Sequence, residues 1–163
     1  MNTLSIITII ASILGPALIF WRLAPSAIVA YAAIVFACFS GAGGEVTVSG
    51  NGMLFWGVAS VIILGLQMIK IDNPLMTRLS SGYISAGAIV GGLLGMLSGH
   101  TASSIIVASA LGSILGLLAY SRTPSGKGIT SDRHRLGDLM GAAGLPAVVI
   151  AGMSFTALSA ILY

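Results

Sequence analysis

Two carboxylates are the residues of this sequence that could carry out acid–base chemistry as a pair. Asp72 follows the third long apolar stretch of the chain, and Asp138 precedes the last one. If each stretch crosses a membrane, both acids lie at the same membrane face. Two neighbouring carboxylates can share a proton and activate a water molecule for peptide-bond hydrolysis. Asp72 and Asp138 are therefore the candidate catalytic residues.

The sequence around the second acid has a short resemblance to a known family. The segment LGDLMGAAG at 136–144 resembles the GxGD region of membrane aspartyl peptidases such as prepilin peptidases, which implies peptide hydrolysis by the two acids. Arg135 stands where that family has its first glycine, Asp72 is not followed by Ile-Pro-Asn, and one span follows Asp138. An aspartyl peptidase is therefore the third of our functional hypotheses, and we expect that the protein is not an enzyme.

Other residues that could bind phosphate or metal do not form complete motifs. The segment SGKG at 125–128 has the lysine of a phosphate-binding loop, but it lacks the first glycine and the Ser or Thr after the lysine. His100 and His134 are predicted at opposite membrane faces, and Cys38 is the one cysteine. We therefore expect no metal site and no cofactor.

The composition indicates which elements must position these residues. The chain has 163 residues, of which 56% are hydrophobic and 7% charged, whereas soluble domains carry about 25% charged residues. Its long apolar stretches alternate with short polar segments. In lipid, a helix satisfies its backbone hydrogen bonds within each segment. The sequence therefore predicts an all-α integral membrane protein, with one polytopic domain over residues 1–163.

Six membrane-spanning helices with short loops account for the apolar stretches, because one crossing needs about 20 residues. The stretch 4–40 is interrupted at Arg22 and Pro25, and the stretch 82–120 has its one plausible turn at 99–101. The predicted spans are about 3–21, 26–40, 53–69, 82–98, 102–120 and 139–162.

This arrangement places every Lys and Arg at one membrane face. Basic loops stay preferentially in the cytoplasm, so both termini are expected outside it. Topology explains the net charge of +3 without a nucleic-acid partner, although the cations could also attract anionic lipid headgroups. They are Arg22, Lys70 and Arg78, followed by Arg122, Lys127, Arg133 and Arg135 in the predicted cytoplasmic basic loop.

Small residues recur every four positions in the fourth and fifth spans. A step of four keeps them on nearly one helix face, which becomes a groove that another backbone can enter. We expect these glycine ladders to pack the two spans together or against neighbours in the same chain, with contacts between subunits as the alternative. They comprise Gly87, Gly91, Gly95 and Gly99 in span four, and Ser104, Ala108, Gly112 and Gly116 in span five.

Prolines interrupt the first and last spans. Pro16 follows Gly15, and Pro146 lies two residues after Gly144. A proline inside a helix frees a carbonyl four residues earlier, which could bind an ion or a polar substrate. A simple kink, satisfied by neighbouring hydroxyl groups, is the other interpretation.

Two further functional hypotheses follow from these patterns. No ionisable residue is predicted at the middle of a span, which disfavours a proton relay. The first hypothesis is a structural or accessory subunit, assembling as a homo-oligomer or with other membrane proteins. The second is a small channel or carrier, with a path beside Pro16 and Pro146 or along the axis of an oligomer. The minimal loops favour a prokaryotic cytoplasmic membrane. The lipid bilayer is then a partner of the whole chain.

Overall fold

The computed structural model describes residues 3–21, 23–40, 50–68, 78–127 and 133–163. Nearly all of these residues are helical, and the predicted all-α class is confirmed. The helices are α1 (Thr3–Ile19), α2 (Leu23–Ser40), α3 (Gly50–Met68), α4 (Arg78–Gly99), α5 (Ala102–Ser121), α6 (Arg133–Leu139) and α7 (Leu145–Leu162). A π-helical turn at Met140–Gly144 joins α6 to α7, so these two form one continuous helix.

Several helices begin earlier than the predicted spans. α2 begins at Leu23, which puts Pro25 in the first turn, where its missing N–H interrupts no intrahelical hydrogen bond. α4 begins at Arg78 and α6 at Arg133, whereas the predicted spans start near 82 and 139. The predicted spans exclude Pro25, Arg78 and Arg133, but a helix can continue from the hydrocarbon layer into the headgroup region.

Three helical stretches are long and apolar enough to cross a membrane. They are Leu79–Gly99, Ala102–Ser121 and Leu136–Leu162, with 21, 20 and 27 residues. The first three helices contribute shorter apolar stretches at Thr3–Ile19, Pro25–Ser40 and Gly50–Leu66. These lengths are consistent with an integral membrane protein.

The C-terminal helix α7 is the central element of the bundle. It packs against each of the helices α1 to α5. In the stretch Leu136–Leu162, which contains α7, 72% of an 18-residue segment is buried inside the protein. Side chains such as Ala147, Ile150 and Ala157 are fully buried. Other helices therefore surround α7 on most of its sides.

Contacts at the two ends of the bundle fix which segments lie together. The imidazole of His100, in the turn between α4 and α5, lies over the ring of Tyr163 with their centroids 3.8 Å apart. The Ser159 hydroxyl donates to the His100 carbonyl at 3.0 Å. At the other end, Leu139 of α6 belongs to one buried cluster with Tyr120 of α5. The C-terminus and the α4–α5 turn therefore share one end of the bundle.

Candidate functional site

The contact between α4 and α5 is a direct approach of two backbones. A Cβ on Gly87 would overlap the carbonyl of Gly112, and a Cβ on Gly91 would overlap that of Ala108. A Cβ on Gly95 would lie 2.6 Å from the Ser104 carbonyl oxygen. Real Cβ atoms do not come this close to a carbonyl. The structure thus brings the small residues of the two spans together within one chain.

The remaining small residues of these two stripes extend the same seam in both directions. A Cβ on Gly116 would overlap the carbonyl of Tyr83, and one on Gly99 would lie 2.7 Å from the Ser104 hydroxyl. That hydroxyl donates to the Gly95 carbonyl at 3.0 Å and so joins the two helices. Close approach gives van der Waals contact along the seam, which is the main source of helix association in lipid.

An apolar groove runs along the outer side of this seam and is called here the α4–α5 groove. Its volume is about 530 Å³. Its floor includes Gly91 and Gly112, and its walls include the exposed side chains Val90, Leu94, Leu111 and Leu115. Because the floor lacks side chains, the walls stand above it on both sides.

Buried hydroxyl groups lie on α7 and on the helices that pack against it. The Ser154 side chain lies against Gly15 of α1, where a Cβ would be 2.8 Å from its oxygen. Ser12, one turn earlier in α1, is also buried. Among the described side chains, the hydroxyls of Ser12, Ser109, Ser154 and Thr156 are buried without a hydrogen-bond partner. Each such group costs about 1–3 kcal/mol relative to a paired one.

The two span prolines lie in different surroundings. Pro16 is buried in α1, and since it has no N–H, the carbonyl of Ser12 lacks its usual helical donor. The neighbouring carbonyl of Gly15 accepts from the Ser26 hydroxyl at 2.6 Å. Pro146 begins α7, directly after the π-helical turn, in which the Leu145 N–H donates to the Met140 carbonyl. The wide turn accommodates the proline ring without ending the helix.

One of the two candidate catalytic acids lies within the described residues. Asp138 is exposed on α6, and Asp72 lies outside the described ranges. In the predicted basic loop, Arg122 and Lys127 are exposed. Arg133 and Arg135 belong to the first turns of α6, and their side chains lie outside the described part. Those two acids therefore stay a prediction.

No three His, Cys, Asp or Glu side chains lie close enough to hold a metal ion in the described part of the chain. His134 is exposed on α6, and Cys38 is a partly buried cysteine on α2. His100 has a positive φ of 53°, in the left-handed region that often follows the end of a helix. Its ring contact with Tyr163 is structural.

Two features of this site were not predicted from the sequence. The first is the pair of buried hydroxyl groups of Ser12 and Ser154, although α1 repeats small and hydroxyl residues at helical spacing, as in Ser5, Thr8 and Ser12. The second is the open groove that remains beside the glycine seam. The walls of that groove are ordinary Leu and Val side chains, so only the relative position of two helices defines it.

Comparison with known proteins finds no family model that matches the chain, no curated protein that is similar to it and no solved structure that resembles it. Fold and surface define the class of an all-helical protein with candidate membrane-spanning helices.

Proposed function

We propose that this chain is a six-span integral membrane protein that acts as a structural or accessory subunit, in a homo-oligomer or a complex with other membrane proteins. Its basic loops face the cytoplasm of a prokaryotic cell, and its termini face away from it. The arrangement of the bundle ends supports this topology, because the α4–α5 turn and Tyr163 lie together. Both belong to the face that carries no Lys or Arg in the predicted topology.

The observation that carries the subunit proposal is the way in which α3 is held. Among its described side chains, those of Trp56, Ser60 and Ile63 are buried and form one narrow stripe. Trp56 packs against Gly152 of α7, and the Ser60 hydroxyl contacts the Met153 sulfur at 3.2 Å. Met53, Ala59 and Leu64 pack against the same core as partly buried side chains, and most of the other described side chains of α3 are exposed.

The uncovered face of α3 is wide and apolar. It is called here the α3 face and consists of Leu54, Phe55, Val58, Val61 and Ile62, which are 54–70% exposed. In lipid, a helix gains stability from van der Waals contact with other helices and not from leaving water. A helix with one narrow internal stripe therefore has the most surface left for another subunit, which supports the α3 face as the place of assembly.

Cysteine cross-linking in the native membrane tests this proposal. In a Cys38→Ala background, Val61→Cys places a thiol on the α3 face. The control, Val107→Cys, places a thiol on α5 at a position where the native side chain is 58% exposed. We expect a bifunctional maleimide to link Val61→Cys to a second copy or to another membrane protein, and to leave the Val107→Cys chain mostly single. Equal behaviour of the two variants, or no product from either, would contradict the proposal.

A small channel or carrier is the second candidate function, and the unpartnered hydroxyls favour it. Ser12 and Ser154 lie beside the Pro16 interruption, where the Ser12 carbonyl lacks its helical donor. Neutral oxygen atoms of this kind can line a path for an ion or a small polar solute. The test is solute flux into vesicles that contain the reconstituted protein. Flux that is lost in a Ser12→Ala, Ser154→Ala double variant would establish this function. Flux no greater than that of protein-free vesicles would rule it out.

The aspartyl peptidase stays the third alternative. It requires that the carboxylates of Asp72 and Asp138 approach within hydrogen-bond reach, directly or through one water. Asp138→Asn should then abolish peptide hydrolysis while the protein stays folded. Hydrolysis at an unchanged rate in that variant would exclude this mechanism.

A further inference from the structure

An exposed arginine, Arg122, lies at one end of the α4–α5 groove. Along α5, the exposed residues Leu111, Leu115 and Ala119 follow one another at intervals of four, and Arg122 comes three residues later. Residues three and four apart lie on one helix face, and Arg122 keeps helical backbone angles at the end of α5. The apolar groove and an exposed guanidinium therefore form one continuous stripe.

The length of the groove corresponds to one leaflet of a bilayer. It extends along α4 from Tyr83 to Leu94, which is about 16 Å at the rise of an α-helix. Half of the hydrocarbon core is about 15 Å thick. An acyl chain that starts at the Arg122 end would therefore reach the bilayer midplane where the groove ends. A membrane-spanning helix of a partner would instead need contact along the whole thickness.

A second, smaller groove opens at the same end. It has a volume of about 290 Å³ and is lined by Phe20 of the α1 end and by Leu79, Gly82, Tyr83 and Ala86 of α4. Tyr83 and Ala86 line both grooves. They form a ridge with an apolar channel on each side. This is the shape that a lipid with two acyl chains would cover.

We propose that the α4–α5 groove binds an anionic glycerophospholipid, with one acyl chain in the groove, the second in the smaller groove beyond the Tyr83 ridge, and the phosphate at Arg122. The apolar walls select a hydrocarbon chain, and the guanidinium selects a negatively charged headgroup. This site does not depend on the subunit proposal, which concerns the α3 face.

Native mass spectrometry of the full chain in mild detergent tests the site. The probes are phosphatidylglycerol and phosphatidylcholine with identical acyl chains. We expect the protein to retain the anionic lipid about fivefold more than the neutral lipid, because one Lys or Arg contributes about that factor near an anionic headgroup. Arg122→Gln should remove the preference, whereas Lys127→Gln, which changes an exposed cation outside the stripe, should keep it.

A second pair of variants tests the acyl-chain part of the site. Ala119→Phe fills the groove near its charged end, and Leu118→Phe adds a ring at the adjacent exposed position on another face of α5. Both positions are exposed, so neither change should prevent folding. Ala119→Phe should lower the retention of both lipids, and Leu118→Phe should not. Equal retention of the two lipids by the unmodified chain would overturn the proposal, as would unchanged retention by Arg122→Gln or Ala119→Phe.

Discussion

At the scale of single residues, the absence of a side chain at a few glycines determines how α4 and α5 meet. Gly87 and Gly91 touch carbonyl groups of the facing helix, and a carbonyl in a regular helix cannot turn away without breaking the helix. Gly82, in the same helix, has nothing within 4 Å of a Cβ. The two kinds of glycine differ in their neighbours and not in their backbone conformation.

Gly91→Ala should therefore destabilise the protein, whereas Gly82→Ala should not. At Gly91 the new methyl group overlaps the Ala108 carbonyl, so the helices must separate, at a cost of about 1–3 kcal/mol or more. At Gly82 alanine adds up to about 1 kcal/mol of helix propensity. Reversible unfolding of both variants in the same detergent measures the two free energies. Equal stability of the two variants would show that the α4–α5 seam is looser than described here.

The spacing of small residues every four positions predicted which faces of α4 and α5 carry glycine, because a repeat of four is itself a helix-face signal. The unpartnered hydroxyls of Ser12 and Ser154 gave no comparable signal. Serine in a membrane helix usually bonds to a carbonyl of its own helix, and only the packing of α1 on α7 shows that these two do not.

At the scale of elements, the sequence indicated the six long helices but not every helix end, and α6 lies in the segment that was predicted as the basic loop. Apolar length located the helices, since the bilayer sets it. Charges and prolines were poor guides to the ends, as α2 with Pro25 in its first turn and α4 with its start at Arg78 illustrate. The π-helical turn before Pro146 was likewise not foreseen, although proline inside the last span was noted.

The α4–α5 connection depends on one capping residue. The Thr101 side chain accepts from the Ser104 N–H at 3.2 Å and so caps the start of α5, which follows α4 after a connection of two residues. Thr101→Ala should lower the free energy of unfolding by about 1 kcal/mol, because an N-cap acceptor is lost. Thr101→Asn keeps a side-chain oxygen at that position and should retain most of the stability. If both variants unfold like the unmodified chain, the cap contributes nothing.

At the scale of the whole molecule, the described residues form a bundle of helices in which α7 is the central helix. Hydropathy predicted the membrane class, and charge asymmetry predicted the faces. Neither pattern could identify α7 as the central helix, because all spans in this sequence are similarly apolar. Apolar side chains are favoured both where a helix is buried inside the protein and where it faces lipid.

The topology can be tested with two single-cysteine variants in a Cys38→Ala background. Ser125 and Tyr163 are both exposed, and the proposed six crossings place them on opposite sides of the membrane. A membrane-impermeant maleimide added to intact cells should label Tyr163→Cys, and it should label Ser125→Cys only after the cells are permeabilised. Labelling of both in intact cells, or the reverse pattern, would contradict the arrangement.

The most direct test of the central claim is the mass of the particle that is released intact from its own membrane, measured by native mass spectrometry. We expect a mass of several chains, or of this chain with other membrane proteins. Bulky changes on the α3 face, such as Val61→Trp, should reduce that mass to one chain. A particle that contains one copy and lipid alone, at every protein concentration and in nanodiscs as well as in detergent, would contradict the subunit function.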